Sequence, residues 1–362
     1  MRQDGNVLTP STIVRGSEMN VSKSVVRMGI DLGKNSFHLW GVDDLGQVVL
    51  RKKLTRKHLL NTLAQMPVCQ IGMEACGGAH YWARQIAEFG HDVRLMAPQF
   101  VKAYVKGNKN DFNDAEGICE AVGRPNMRFV AVKTVEQQDL QAMHRIRQSA
   151  IKARTMQANQ IRGLLGEYGI VIAKGIGHVR RRVPEILEDG ENGLTESFRA
   201  LLSELSAELS RIDQRARDYD QRIQEVFRAQ EVCQRLSAVE GVGVLSATAV
   251  VATFGDARQF GNGRQFSAAL GLVPRQHSTG GEARMLGISK RGDRYIRTLL
   301  IHGARAVIQS VCRRDKDDKR SRWIKRLVAE RGTNRAAVAL ANKNARILWA
   351  LLSRGECYQV GV

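Results

Sequence analysis

The sequence predicts an α/β domain followed by two largely helical regions. Short apolar runs of strand character alternate with helix-like segments up to about residue 123. Residues 135–167 and 198–226 are helical in pattern with few turn residues, and from about residue 236 small apolar and basic helical segments prevail. A chain of 362 residues exceeds one ordinary core. The expected division is a loose polar extension over 1–24, an α/β domain over 25–130, a long-helix region over 131–230 and a mostly helical domain over 231–362.

Residues 25–50 hold three strand candidates, "VVRMGIDL", "FHLWGV" and "QVVLRKKL", the last two joined by the turn signal "DDLG". A helix around "KHLLNTLAQM", a buried strand "VCQIGME", a helix "AHYWARQIAEFG" closed by Gly90 and a strand "DVRLMA" follow, with Pro98 behind them. Three antiparallel strands and then alternating helix and strand is the order of an RNase H-like fold. Alternation alone fits other α/β domains too, and the acid positions below favour the RNase H-like choice.

The stretch 135–167 reads as one long helix, and the glycine-rich segments "GIVIAKGIGHV" and "EDGENG" read as its break over 170–193. In the second long helix Phe198, Leu202, Leu205, Leu209, Ile212, Ala216, Tyr219, Ile223 and Val226 step alternately by four and three. That heptad pattern predicts a coiled coil, with the first long helix or with another protomer as partner. Gly241 and Gly243 mark an inter-helix turn, either a helix-hairpin-helix offering N–H groups to phosphate or a close helix crossing. A helix, an irregular loop over 274–292 and another helix come next, and "GTNRAAVALANKNARILWALLSRGE" closes the chain as an amphipathic helix.

The 56 Lys+Arg against 36 Asp+Glu leave a net charge of +20, which favours a polyanionic partner through counterion release. Residues 284–346 alone carry 18 Lys+Arg and 5 Asp+Glu, so the excess sits in the last third. A membrane partner is disfavoured, because no apolar run approaches the ~20 residues of a spanning helix. Six cysteines without a C-x-x-C pair, and no leader-like N-terminus, point to reduced thiols and a cytoplasmic location.

Asp31 and Glu74 end two apolar strand candidates, and Asp111 and Asp114 stand three residues apart at the start of a predicted helix, sharing one face. Four carboxylates converging from strand ends and a helix suit a pair of divalent ions that assist phosphoryl transfer. An all-oxygen set suggests Mg2+, with Mn2+ as the alternative. Glu116 and Glu120 could support the ligands or form a solvated face, and Lys106, Lys109 and Asn110 could hold a phosphate or simply form a loop. In the loop 274–292, Ser278 and Thr279 precede Gly280 and Gly281 among Arg275, His277, Arg284, Ser289, Lys290 and Arg291. This composition fits a phosphate-contacting loop, or a hydroxyl that attacks a phosphodiester with cationic help.

"GIDLGK", "GMEACGG", "NDFNDAE", "VEGVG", "FSAALGLVPRQHSTGG" and "ISKRGD" occur in that order. With them the chain resembles the DEDD-type insertion-sequence transposases of the IS110 family, in particular the IS1111 subgroup, also called bridge-RNA-guided recombinases. The likeness runs from about residue 26 to about 350. It implies a RuvC-like N-terminal domain, a coiled-coil insertion and a C-terminal transposase domain. Asp31, Glu74, Asp111 and Asp114 match the metal-site acids and Ser278 the serine nucleophile, with Thr279 or Ser289 as alternatives given the loop length. Arg275, His277, Thr279, Arg284, Lys290, Arg291, Lys106 and Lys109 are then expected to contact nucleic acid. The resemblance further implies target and donor DNA, a non-coding guide RNA, a tetramer built as a dimer of dimers, and action at the nucleoid of a prokaryotic cell. The competing readings are a metal-only RuvC-like endonuclease or junction resolvase, and a non-catalytic nucleic-acid scaffold.

Overall fold

The computed structural model describes residues 25–108, 110–314 and 317–359. The predicted extension 1–24 and Lys109 lie outside them. The chain forms two units that divide between Val132 and Lys133.

The first unit is a six-stranded sheet with helices. In order come β1 (Arg27–Leu32), β2 (Ser36–Val42), β3 (Val48–Thr55), α1 (Arg56–Ala64), β4 (Gln70–Glu74), α2 (Ala79–Ala87), β5 (Asp92–Met96), α3 (Pro98–Val101), α4 (Asp111–Val122) and β6 (Phe129–Val130). The strand order is β3-β2-β1-β4-β5-β6. The strands β1, β2 and β3 are antiparallel neighbours, while β4 and β5 run parallel to β1. The buried runs of β1 and β4, Met28–Ile30 and Ile71–Met73, are covered on both faces, as parallel central strands require. Met28, Ile30, Phe37, Leu39, Leu59, Leu63, Ile71 and Ile86 form the core.

The second unit holds α5 (Val135–Gly166), α6 (Ile176–Glu188), α7 (Glu196–Ala229), α8 (Glu231–Ser237), α9 (Val244–Phe254), α10 (Gly263–Ala269), β7 (Pro274–Thr279), β8 (Glu282–Ile288), α11 (Arg294–Arg313), α12 (Lys319–Arg331) and α13 (Thr333–Arg354). The long helices α5 and α7 pack along one another within the chain. Every seventh residue of α7 from Leu202 through Leu209 and Ala216 to Ile223 is buried. Asp213 is buried in this packing, on Arg154, Arg180 and Arg217. Burial alone would raise its carboxyl pKa, but the Arg154 hydrogen bond and the charges of Arg180 and Arg217 hold it below the ordinary value.

Two sequence expectations change here. The predicted break over 170–193 contains α6, whose Val179, Val183 and Ile186 recur at helical spacing and are buried, although Pro184 lies inside the helix. The predicted irregular loop over 274–292 is instead a β7–β8 hairpin. At the Gly241 turn, a Cβ would meet the Gly303 backbone of α11 at 3.0 Å, so this glycine serves close helix packing. All six cysteines are free thiols. Among the described residues no helix is long and apolar enough to cross a membrane.

His144 of α5 is buried between Tyr295 and Thr248, each 3.0 Å from a ring nitrogen. Burial, aided by the Arg147 charge, lowers its pKa to about 4. The unfolded imidazole titrates near 6.5, so the unfolded chain binds the extra proton first and stability falls as pH drops from about 6.5 towards 4. Wild type is expected to lose about 2–3 kcal/mol more than His144→Gln between pH 7 and pH 4.5, measured by urea unfolding.

Candidate metal centre and serine hairpin

Of the four predicted acids, the first unit brings Asp31 and Asp111 within ligand-sharing distance, and Glu74 is close enough to feel the charges of Asp31 and Asp114. Asp31 is near the end of β1, and Glu74 ends the parallel neighbour β4. The helix α4 crosses these strands closely because their midpoints are glycines. A Cβ on Gly29 would come 2.1 Å from Ala115 O and 2.4 Å from Cys119 N, and one on Gly72 would come 2.7 Å from Val122 Cβ. Asn110 caps α4 by accepting from Phe112 N at 2.9 Å. The capped first turn carries Asp111 and Asp114. Gly29→Ala is therefore expected to push α4 off the sheet, at a cost of about 3 kcal/mol, visible as a lowered midpoint of thermal unfolding.

The electrostatics report the same convergence. Burial raises the Glu74 carboxyl above its ordinary value, and the charges of Asp31 and Asp114 raise it further. Ligand atoms of Asp31, His38 and Asp111 lie within 4.8 Å of one another. His38 is the direct cross-strand partner of Asp31 on β2. Its ring is 4% exposed and edge-on to Phe112, with centroids 4.8 Å apart. Its Nδ1 has no hydrogen-bond partner among the described residues, and Asp111 Oδ2 stands 3.5 Å away. Crowded carboxylates beside an orphaned ring nitrogen fit a divalent cation. His38 is not among the residues singled out from the sequence.

Other predicted residues fall outside this cluster or serve α4 itself. Lys106 is exposed in the loop before the helix. Glu116 is half-buried, and Glu120 pairs with Arg124 at 2.8 Å along the helix.

Ser278 lies on β7, one residue from the Gly280–Gly281 turn, whose φ values of 60° and 85° suit a tight hairpin connection. The whole strand β7 is exposed. Ser278 Oγ accepts a 2.6 Å hydrogen bond from Gln276 Nε2, a residue not singled out by sequence. Strand alternation puts Gln276 and Ser278 on one face and His277 and Thr279 on the other, and Arg284 shares the face of its partner His277. Arg275 sits at the register irregularity between Pro274 and Gln276. Ser289, Lys290 and Arg291 lie at the hairpin root, roughly 15 Å from Ser278 along the strands. There Ser289 N bonds Val273 O at 2.8 Å and Lys290 N bonds Gly271 O at 3.1 Å. Buried Arg297 of α11 fastens the root, donating to Leu270 O at 2.8 Å and to Arg291 O and Asp293 O at 3.5 Å.

Residues 28–170 match the DEDD family of IS110-type proteins described as "Transposase", and residues 233–320 match "Transposase IS116/IS110/IS902 family". The chain is 52% identical over 95% of its length to a probable family 20 transposase of Pseudomonas aeruginosa, covering 100% of that protein. It is 48% identical over 94% of its length to the transposase for insertion sequence element IS1111A of Coxiella burnetii, covering 93% of it. It is 39% identical over 92% of its length to the transposase for insertion sequence element IS1328 of Yersinia enterocolitica, covering 99% of it.

Proposed function

The chain belongs to the IS110/IS116/IS902 family of insertion-sequence transposases, enzymes that cut and rejoin DNA, and on that premise we propose that Asp31, Glu74, Asp111 and Asp114 form the metal-holding half of its strand-cleaving site. The observation that carries this is the meeting of two strand-end acids with two first-turn acids of one helix. Divalent ions held there, Mg2+ or Mn2+, would neutralise charge on a phosphodiester during transfer.

The other half of the proposal is Ser278. Its exposed position beside the hairpin turn supports attack on a DNA phosphate. The Ser278 oxygen gives up its proton and forms a P–O bond, one P–O bond of the DNA breaks, and the released DNA hydroxyl takes up a proton. The phosphodiester count is unchanged, so the link can be reversed onto a second DNA end. His277 and Arg284, close to Ser278 but on the opposite face, are proposed as contacts to flanking phosphates. Guidance by an element-encoded RNA, the tetramer in which one protomer's serine serves another's acids, and the cytoplasmic location rest on the family resemblance. The net charge of +20 is compatible with binding both nucleic acids.

A second reading is favoured by the family match over 28–170, which contains the acid cluster and ends before the serine hairpin. In it the acids activate water and the hairpin only holds phosphate. Purified chain, DNA carrying the element's ends and target DNA, with and without the element's non-coding RNA and Mn2+, separate the two. The first reading expects rejoined DNA that requires RNA and metal. Free ends alone support hydrolysis, and product formation indifferent to the RNA removes the guide.

A further inference from the structure

We propose that His38 is a direct ligand of the metal centre, through Nδ1, so that the site is a mixed nitrogen–carboxylate set. The inference rests on the metal-holding role of the acids and adds a fifth residue to it. Leaving a buried ring nitrogen without a partner is costly, and such an atom needs an occupant of its environment. A charge pair with Asp111 does not supply one. A charge-assisted N–H···O bond settles at about 2.7–2.9 Å, whereas the Nδ1–Oδ2 separation is 3.5 Å, although the Asp111 side chain is 62% exposed. The spacing instead suits two ligands of one ion. Bonds of about 2.1 Å place adjacent ligand atoms about 3 Å apart and opposite ones about 4 Å apart. The Asp31, His38 and Asp111 atoms, all within 4.8 Å, need only small shifts to close on one cation.

The backbone holds this arrangement. Asp31 and His38 face each other across the β1–β2 ladder, and Phe112, next to Asp111, seals the ring from the side. Arg51 in turn stacks on Phe112, 4.5 Å from its centroid. Imidazole nitrogen suits transition metals better than Mg2+, which prefers oxygen. The centre is therefore expected to bind Mn2+ more tightly relative to Mg2+ than an all-carboxylate version would.

The test is pulsed electron paramagnetic resonance on the full chain loaded with Mn2+, natural or labelled with 15N-histidine, alongside Mn2+ and Mg2+ titrations. The expected result is a histidine nitrogen coupling on bound Mn2+ that changes with the label and vanishes in His38→Asp. The same variant should lose at least about tenfold of its Mn2+ over Mg2+ preference. The label experiment needs no variant, so a misfolded substitution does not blunt it. Mn2+ that binds without nitrogen coupling, yet is lost in Asp111→Asn, overturns the ligand role of His38 and leaves the acid site standing. Mn2+ binding unchanged by Asp31→Asn and Glu74→Gln overturns the acid site and this inference together.

Discussion

Asp31→Asn is expected to reduce DNA strand cleavage by a factor on the order of a thousand or more, with DNA binding retained. The amide keeps the size and the hydrogen-bonding shape of the side chain but removes the charge that a divalent ion needs. Loss of one preorganised electrostatic partner at a phosphoryl or acyl transition state costs about 10²–10³, and here the partner also holds the cation. Asp31 is linked to three other members of the cluster. It faces His38 across the ladder, shares ligand distance with Asp111 and raises the proton affinity of Glu74. Nicking of labelled duplex in Mn2+, with the element's non-coding RNA present, measures the effect, and a salt titration of binding provides the control. A variant that cleaves within tenfold of wild type would remove Asp31 from the chemistry.

Ser278→Ala is expected to abolish the covalent protein–DNA adduct and all rejoined product, while Mn2+ still binds. The adduct is read as a shifted protein band after denaturation. The hairpin separates the alternatives physically. Thr279 turns to the other face of β7, and Ser289 sits at the root with its backbone bonded to Val273. An adduct that survives Ser278→Ala would assign the nucleophile elsewhere. Full cleavage to free ends by the variant, abolished by chelation, would instead make water the nucleophile.

The acid cluster was legible because each member ends a recognisable pattern. Asp31 and Glu74 close apolar runs, and Asp111 and Asp114 open an amphipathic helix behind an Asn cap. His38 was not legible, because its meeting with Asp31 depends on the β1–β2 register, which the turn between the strands sets. It reads locally as one more residue of a buried strand. The β7–β8 hairpin reads as a loop in the sequence because the β7 residues are exposed on both faces, so no alternation of apolar and polar residues marks it. Gly280–Gly281, with φ of 60° and 85°, form the turn, but in the sequence they read as room for close approach to a ligand. In α6 the flanking glycines and Pro184 masked a helical spacing of Val179, Val183 and Ile186.

The closeness of α4 to the sheet also sets the order in which the acid cluster can assemble. Asp31, His38 and Glu74 emerge from the ribosome well before Asp111 and Asp114, and the glycine-lined seat for α4 is filled only when that helix arrives. A chain ending before residue 111 would lack α4, and with it two of the four acids and the cover over Gly29 and Gly72. The acid cluster therefore exists only once the first unit has folded through α4.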